Sequence, residues 1–268
     1  MKASPRDVVA LATVSRDGVT ECTHFGRVAI CDASGLLIAS AGNAQGEQFW
    51  RSSSKPIQAL SVVTSGAADQ FELTQRELSV CCASHSGSAE HRETVSGILA
   101  KLGLSEADLD CGAHWPGDTE ERNRLIRAGE EPSPMHNNCS GKHSGMLATA
   151  RALGVPTEGY LDFGHPVQRM IAENLSLLSG VPEQQFKLGR DGCGAPTVAM
   201  PLAAMARAFA RLAMPDDLPD GLPEAARRIC DAMAAEPVMV SARGSFNTEL
   251  LRLGGGEIVA KGGAEGLF

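Results

Sequence analysis

The segment from residue 50 to residue 63 limits what this chain can fold into, because a proline stands at the start of an apolar run. Proline is tolerated in the first turn of a helix, where backbone N–H groups have no partner within the helix, but it breaks a helix further along. Pro56 is followed at once by the run 57–63, so the sequence predicts a helix that begins just before this proline. Ser52 and Lys55 would then lie on one face of its first turn.

A lysine beside a serine on one helix face is a means of activating the serine. A serine hydroxyl is a weak nucleophile at neutral pH, and a lysine amine kept neutral by burial or by nearby cations can remove its proton. Ser-x-x-Lys at a helix start is the arrangement of the penicillin-recognising enzymes, which form acyl-enzymes. By itself, the spacing of Ser52 and Lys55 also fits a serine-rich helix cap followed by a solvated lysine.

Composition and charge exclude several classes of function. The 268 residues carry a net charge of −8 without a Lys/Arg run, and one Tyr and two Trp offer little base stacking, so we expect no nucleic-acid partner. No apolar run reaches the ~18 residues of a membrane helix, so we expect no membrane association. Eight cysteines are spread along the chain, and the apolar segment 8–14 is typical of a strand rather than of a signal peptide, so we expect free or metal-bound thiols and a cytoplasmic location.

Short strands near the two ends enclose a mainly helical middle. The strands are predicted at 8–14, 20–31 and 36–39, with a turn at Asp17 and Gly18, and a last strand is predicted at 257–262. This pattern predicts an α/β protein of the α+β type, an antiparallel sheet flanked by helices with a helical lobe. Helices are predicted at 74–82, with Glu77 completing a capping box on Thr74, and at 89–102, 118–128, 146–148, 165–178, 197–213 and 223–235.

The end of the sequence departs from this pattern. Leu267 and Phe268 are apolar and follow a glycine-rich loop, where a returning strand would be natural. A sheet cut at that point would keep an open edge. We therefore expect residues 1–268 to form a single catalytic domain from which a C-terminal segment is missing.

Two further segments extend the Ser-Lys pattern. Ser84 lies in a small polar loop, and Lys261 precedes two glycines. Penicillin-recognising enzymes combine Ser-x-x-Lys with a loop serine and a Lys-Thr-Gly edge strand in the same order. Ser84 could relay protons to a leaving group, and Lys261 could lower the pKa of the other lysine or hold a substrate carboxylate. The alternatives are a cap hydroxyl at Ser84 and a solvated lysine at Lys261.

Cysteines in two polar loops are candidates for a metal site. Cys139 and Lys142 lie in the loop 133–145, and Cys193 lies in the glycine-rich loop 189–196. Thiolates favour zinc. However, Cys139-x-x-Lys142 lacks the paired Cys-x-x-Cys of a zinc knuckle, so thiols that pack as small apolar groups are the alternative. Additional candidate ligands are His136, His143 and Asp191.

Together these segments resemble the rhizobial-type L-asparaginases, which form the asparaginase II family, also called class 3. The resemblance runs from about residue 8 to the last residue. Its longest motif, His-Asn-Asn-Cys-Ser-Gly-Lys-His at 136–143, is specific. The matching segments are 50–56, 83–85, 114–116, 134–143, 191–196 and 260–266.

The resemblance implies a fold and an activity. The fold is expected to be related to the serine β-lactamases and Ser-Lys glutaminases. The reaction is expected to be hydrolysis of L-asparagine to L-aspartate and ammonia. We expect Ser52, deprotonated by Lys55, to attack the side-chain amide; Ser84 is the alternative first nucleophile, because it too is paired with a lysine. Two catalytic Ser-Lys tandems are expected to share the site, Ser52 with Lys55 and Ser84 with Lys261.

The resemblance also implies a zinc ion as cofactor. It would be held by Cys139, Lys142 and Cys193, with water as a further ligand and Asp191 close by. A lysine that binds zinc must be neutral, and the metal itself would enforce that state. In this family zinc is expected to help to position the substrate rather than to supply the nucleophile.

The expected substrate is a small molecule, L-asparagine, and the expected assembly is a homodimer. Backbone N–H groups, including that of Ser52, are expected to stabilise the oxyanion. Alternatives are a Ser-Lys glutaminase or a penicillin-type acyl hydrolase of the same fold, a non-catalytic zinc-binding protein, or an inactive asparaginase relic. Candidates for substrate binding are Arg51, His136, Asn137, Asn138 and Asp191.

Overall fold

The computed structural model describes residues 7–268 and has an α+β architecture with three small antiparallel sheets. β1 pairs with β2, β3 pairs with β4, and the third sheet has the order β5-β7-β6. The predicted turn at Asp17 and Gly18 is confirmed: both residues have positive φ angles (49° and 82°), as a tight hairpin turn requires. The strands are β1 (Val9–Arg16), β2 (Val19–Gly26), β3 (Val28–Cys31), β4 (Leu37–Ala41), β5 (Glu47–Phe49), β6 (Lys187–Arg190) and β7 (Pro196–Pro201).

Helices make up most of the remaining chain. Within residues 7–268 no helix is long and apolar enough to cross a membrane. The capping box at Thr74 is confirmed, because its side chain and that of Glu77 each accept the other residue's backbone N–H. The helices are α1 (Lys55–Thr64), α2 (Ala67–Gln70), α3 (Gln75–Cys81), α4 (Ala89–Lys101), α5 (Thr119–Ala128), α6 (Ser140–Ala152), α7 (Pro166–Ser179), α8 (Leu202–Ala213), α9 (Leu222–Ala235), α10 (Pro237–Val240) and α11 (Phe246–Gly254).

Three sequence predictions about strands and helices were wrong. The predicted strand 20–31 is divided between β2 and β3, which belong to different sheets. The first residues of the predicted helix 197–213 form β7 instead, because β5 and β6 pair with them on either side. The predicted strand 257–262 forms no strand, and the N–H of Gly262 donates to the Asn247 side chain at 2.9 Å rather than to a neighbouring strand.

Helix α1 is the buried centre of the molecule. Every residue from Lys55 to Val62 is buried, and α1 packs against α6, α7 and α9. Each fully buried aliphatic side chain, such as Leu60, stabilises the fold by roughly 1.5–3 kcal/mol relative to an exposed one. Because α1 is held on all sides, the turn at its N-terminus is a fixed platform for functional groups.

Candidate active site

The chain enters α1 through a tight turn that presents Ser52. Residues Arg51–Ser54 form one turn of 3₁₀-helix, and a proline stands in the first turn of α1, as the sequence predicts. Ser53 and Ser54 each donate a hydrogen bond to the backbone carbonyl three residues earlier, at 2.7 and 2.9 Å. The Ser52 hydroxyl makes no side-chain hydrogen bond within the described part of the chain. It is therefore free to contact a ligand.

Ser52 lines a cavity of about 420 Å³ together with Ser84, Asn138 and Lys261. The Lys-Gly-Gly segment runs directly past the Ser52 turn on one side of this cavity. A Cβ at Gly263 would lie 3.1 Å from the Trp50 carbonyl oxygen, a tighter contact than most Cβ atoms make, so glycine favours this close approach. The cavity thus brings together one serine from the start of α1, one serine from a distant loop, and a lysine near the end of the chain.

Two buried lysines converge on Ser84. The Lys55 Nζ lies 2.9 Å from the Ser84 Oγ, and the Lys261 Nζ lies 3.0 Å from the same oxygen. Lys55 also donates to the Ala83 carbonyl and to the Cys139 thiol, at 3.2 Å for the thiol. Three acceptors thus use all three N–H groups of a Lys55 ammonium.

Burial changes the chemistry of Lys261, which is 2% exposed. Desolvation disfavours its charged form and repulsion from Lys55 adds to this effect, so the pKa of Lys261 is lowered from 10.5 to about 7. A substantial fraction of the amine is neutral near pH 7. A neutral amine can accept the proton of the Ser84 hydroxyl.

Cys139, Lys142 and Cys193 form a buried cluster beside the lysines. The Lys142 Nζ lies 3.1 Å from the Cys193 Sγ. The Cys193 thiol acts as a hydrogen-bond donor to Cys139, which lowers the pKa of Cys139, and the same contact together with burial raises the pKa of Cys193. Burial alone would lower the pKa of Lys142, but attraction to the two sulfur groups outweighs it and the pKa is raised.

The donor set of this cluster fits a zinc ion. Thiolate sulfur is the ligand type that zinc prefers, and zinc displaces the proton of a coordinating group. Nowhere in residues 7–268 do three His, Cys, Asp or Glu side chains group closely enough to hold a metal. A metal at this place would therefore depend on the Lys142 amine in addition to the two thiols, and zinc binding stays a prediction.

An ion pair joins the Ser52 turn to the loop of Cys193. The Arg51 Nε donates to the Asp191 Oδ1 at 2.6 Å. Burial would raise the pKa of Asp191, but hydrogen bonds from Arg51 and from the Gly192 N–H lower it, so the carboxylate stays ionised. Arg51 itself has a φ of +50°, in the left-handed region that side chains rarely adopt. The ion pair thus holds an unfavourable backbone conformation directly before Ser52.

Comparison with protein families decides the identity of the chain. A family model described as L-asparaginase II matches residues 12–268. The chain belongs to the L-asparaginase II family. A comparison with curated proteins finds no match. The family assignment made from the sequence is confirmed. The family name supports an asparaginase, which is a hydrolase with a small-molecule substrate.

In this asparaginase family member, one of the two predicted Ser-Lys pairs is hydrogen-bonded and the other is not. Ser84 and Lys261 are hydrogen-bonded to each other, as the pairing expects. Lys55 lies against Ser84 and Cys139 and makes no hydrogen bond to Ser52. The buried carbonyl of Ala83 and these two side chains draw the lysine away from its own helix turn.

Two residues that were predicted to bind substrate in the asparaginase, His136 and Asn137, form hydrogen bonds with other residues of the protein. The His136 Nε2 lies 3.2 Å from a carboxylate oxygen of Glu121. The Asn137 amide donates to the Cys111 carbonyl at 2.8 Å. Both side chains hold the loop that precedes α6, whereas Asn138 lines the cavity. A direct role of His136 or Asn137 toward substrate stays a prediction.

The sequence analysis missed Asn247 and also considered His143 as a ligand. Asn247 lines the cavity and accepts the Gly262 N–H, which fixes the Lys-Gly-Gly segment. No motif marks it, because its importance comes from the packing of α11 against that segment. The His143 Nδ1 lies 2.7 Å from the Tyr160 hydroxyl and the ring is fully buried, and a role of His143 as a metal ligand stays a prediction.

Proposed function

We propose that this protein hydrolyses the side-chain amide of L-asparagine to L-aspartate and ammonia through a serine acyl-enzyme. The observation that carries the proposal is the position of the Ser84 hydroxyl between two lysine amines, at 2.9 and 3.0 Å, in a cavity that Ser52 also lines. Membership of the L-asparaginase II family supports asparagine as the substrate. A fold related to the serine β-lactamases and a single catalytic domain belong to the same proposal.

The hydrogen bonds around Ser84 support a direction for proton movement. Lys55 donates to Ser84, since its other two N–H groups are used by Ala83 and Cys139. The Ser84 hydroxyl is then free to donate to Lys261, whose pKa of about 7 leaves a neutral amine at physiological pH. Lys261 is therefore the base in our proposal and Ser84 is the proton relay.

The reaction begins when Ser52 attacks the amide carbon. The proton of Ser52 passes through Ser84 to Lys261, and a C–O bond forms as the carbonyl becomes an oxyanion. Backbone N–H groups of the Ser52 turn stabilise that oxyanion. Lys261 returns the proton through Ser84 to the nitrogen, the C–N bond breaks and ammonia leaves. Water then attacks the β-aspartyl ester by the same route and releases L-aspartate.

The ion pair of Arg51 and Asp191 supports recognition of an amino acid. A free amino acid carries one carboxylate and one ammonium group, and a neighbouring guanidinium and carboxylate offer complementary charges. In our proposal Arg51 binds the α-carboxylate and Asp191 binds the α-ammonium. Asn138 lines the cavity that Ser52 also lines. The hydrogen bond between Arg51 and Asp191 orients both side chains before the substrate arrives.

Zinc is included in the proposal as a positioning cofactor. Cys139, Lys142 and Cys193 would hold it, and when bound it supplies positive charge that helps to orient the substrate. Every proton transfer described above is carried out by the side chains of Ser52, Ser84 and Lys261.

Replacement of the two serines tests the proposal. Ser52→Ala should reduce ammonia release from L-asparagine by roughly 10³-fold or more, because no acyl-enzyme can form. Ser84→Ala should slow the reaction while an acyl-enzyme remains detectable by mass spectrometry after acid quenching. Ser96→Ala, on the exposed face of α4, is the matched control and should leave the rate unchanged.

Measurements on both amides separate the competing outcomes. The unmodified protein, metal-replete, should release ammonia from L-asparagine faster than from L-glutamine. A Ser52→Ala protein with near-normal rates would refute the nucleophile assignment. A folded protein that releases ammonia from neither amide would refute the proposed function.

A further inference from the structure

The residue after Ser84 is a histidine whose ring does not face the serine. The His85 Nδ1 accepts the Gly87 N–H at 3.1 Å, and its Nε2 lies 2.9 Å from the Ser140 Oγ. The ring is 2% exposed. Because both ring nitrogens are occupied, His85 cannot act as a base for Ser84. The role of His85 therefore depends on the segments that its hydrogen bonds connect.

The hydrogen bonds of His85 determine its tautomer. A ring nitrogen that accepts a backbone N–H carries no proton, so the Nδ1 is the acceptor and the Nε2 bears the hydrogen. The Nε2–H therefore donates to the Ser140 hydroxyl, which in turn donates to the Met135 carbonyl at 3.3 Å. This chain of hydrogen bonds requires a neutral ring, because a protonated Nδ1 could not accept the Gly87 N–H.

His85 forms hydrogen bonds with the residues on both sides of Cys139. Its backbone N–H donates to the Asn138 carbonyl at 3.1 Å, and its ring donates to Ser140. Lys55 spans the same two segments, since it contacts the Ser84 Oγ at 2.9 Å and the Cys139 Sγ at 3.2 Å. The two hydrogen bonds of His85 thus join the same two segments that Lys55 bridges.

We propose that His85 is a positioning residue that holds the Ser84 segment and the Cys139 segment at the spacing in which Lys55 bridges them. The proposal rests on the proposed function, because the bridged Ser84 is the proton relay of that mechanism. His85 acts through Ser84 and Lys55 and does not touch the substrate.

The surroundings of His85 keep the ring neutral and fixed. His91 stacks on it with ring centroids 5.0 Å apart and an angle of 13° between the rings. Desolvation, followed by repulsion from His91 and Lys55, lowers the pKa of His85 well below its usual range. Gly87 has a φ of +74°, which turns its N–H back onto the ring.

Two amide substitutions at this position separate the role of each ring nitrogen. The amide of His85→Gln reaches about as far as the Nε2 and can still donate to Ser140. The amide of His85→Asn ends near the Nδ1 position and can accept only from Gly87. We expect kcat on L-asparagine to fall about 30- to 100-fold in the Asn variant and less than about 5-fold in the Gln variant.

The controls distinguish positioning from stability. His24→Gln, at an exposed position on β2, should leave kcat unchanged. Rates are expressed per folded molecule. If His85 only stabilised the fold, both variants would lower the melting temperature and leave kcat per folded molecule unchanged. A kcat that falls in the Asn variant and is largely retained in the Gln variant therefore indicates positioning. Equal kcat values in the two variants would overturn the proposal.

A readout without substrate separates this proposal from the proposed function. In protein with ¹³Cε-labelled lysine, His85→Asn should shift the signals of Lys55 and Lys261, and His85→Gln should leave them in place. Unshifted lysine signals in the Asn variant would overturn the positioning role whether or not the protein hydrolyses asparagine. If the Asn variant does not fold, Ser140→Ala removes the same hydrogen bond and should shift the same signals.

Discussion

Protonation of Lys261 should control both the activity and the stability of this protein. The structure lowers the pKa of this amine to about 7, against 10.5 for an exposed lysine. A difference of this size corresponds to roughly 5 kcal/mol between the two protonation states. At pH 7.5 about three quarters of Lys261 is then neutral, whereas about 0.1% of an ordinary lysine would be.

The expected pH profile of kcat/KM for L-asparagine follows from this pKa. The base must be neutral, so activity should rise tenfold per pH unit below pH 7 and level off above it, with a midpoint of about 7. Initial rates of ammonia release between pH 5.5 and 9 measure the profile. Lys261→Arg, which keeps the charge and cannot be deprotonated, should be inactive at every pH.

The lowered pKa of Lys261 also makes the free energy of unfolding depend on pH. The unfolded chain keeps an ordinary lysine, so between about pH 7 and 10.5 it binds more protons than the folded protein does. Stability therefore rises with pH across this window, and the full cost of burying Lys261 is present below about pH 7. Lys261→Met lacks this dependence, so its stability advantage over the unmodified protein should shrink as pH rises.

Urea unfolding of both proteins at several pH values from 6.5 to 10 measures the difference. Lys187→Met, which removes an exposed lysine on β6 that is paired with Glu47, is the control and should show no stability advantage that shrinks as pH rises. NMR titration of the six labelled lysines gives the pKa of Lys261 directly. A value near 10.5, or a Lys261→Met difference that does not change with pH, would show that burial does not lower the pKa of Lys261.

Two further predictions concern the loops around the site. Gly87→Ala should lower the free energy of unfolding by about 2–3 kcal/mol in urea denaturation, because the residue has a positive φ and its new Cβ would lie 2.8 Å from the His136 carbonyl oxygen. Gly112→Ala, also at positive φ but with nothing within 4 Å, should cost only about 1 kcal/mol, and equal losses would contradict the steric argument. Cys139→Ser should abolish stoichiometric zinc binding measured by elemental analysis, whereas Cys22→Ser, at an exposed position on β2, should leave it intact. Full zinc content in the Cys139→Ser protein would exclude this thiol as a ligand.

Features that depend on neighbouring residues in the sequence could be predicted from it. The start of α1 at Pro56 follows from the missing N–H of proline, and the capping box at Thr74 follows from a spacing of three residues. The membership of the family was recognisable from the motif at 136–143, since its residue types stand next to one another.

Features that depend on distant partners could not be predicted in the same way. Residues 197–200 suit a buried helix or a buried strand equally well, and the presence of β5 and β6 on either side decided for a strand. Residues 257–262 have the composition of a strand but pair with no strand in the described part of the chain. Sheet formation requires a neighbouring strand, and the identity of that neighbour is not encoded locally.

The same distinction between neighbouring and distant residues applies to the candidate site. The sequence shows which groups are available: two serines, three lysines and two thiols in motifs of the family. The contacts and the protonation of each group follow from the packing of distant segments. Lys55 is three residues from Ser52, yet it bonds Ser84 and Cys139, which are 29 and 84 positions away. Lys261 has a lowered pKa because folding buries it near Lys55. Desolvation and charge repulsion act through space, so only the packed molecule sets which amine is neutral and which serine it serves.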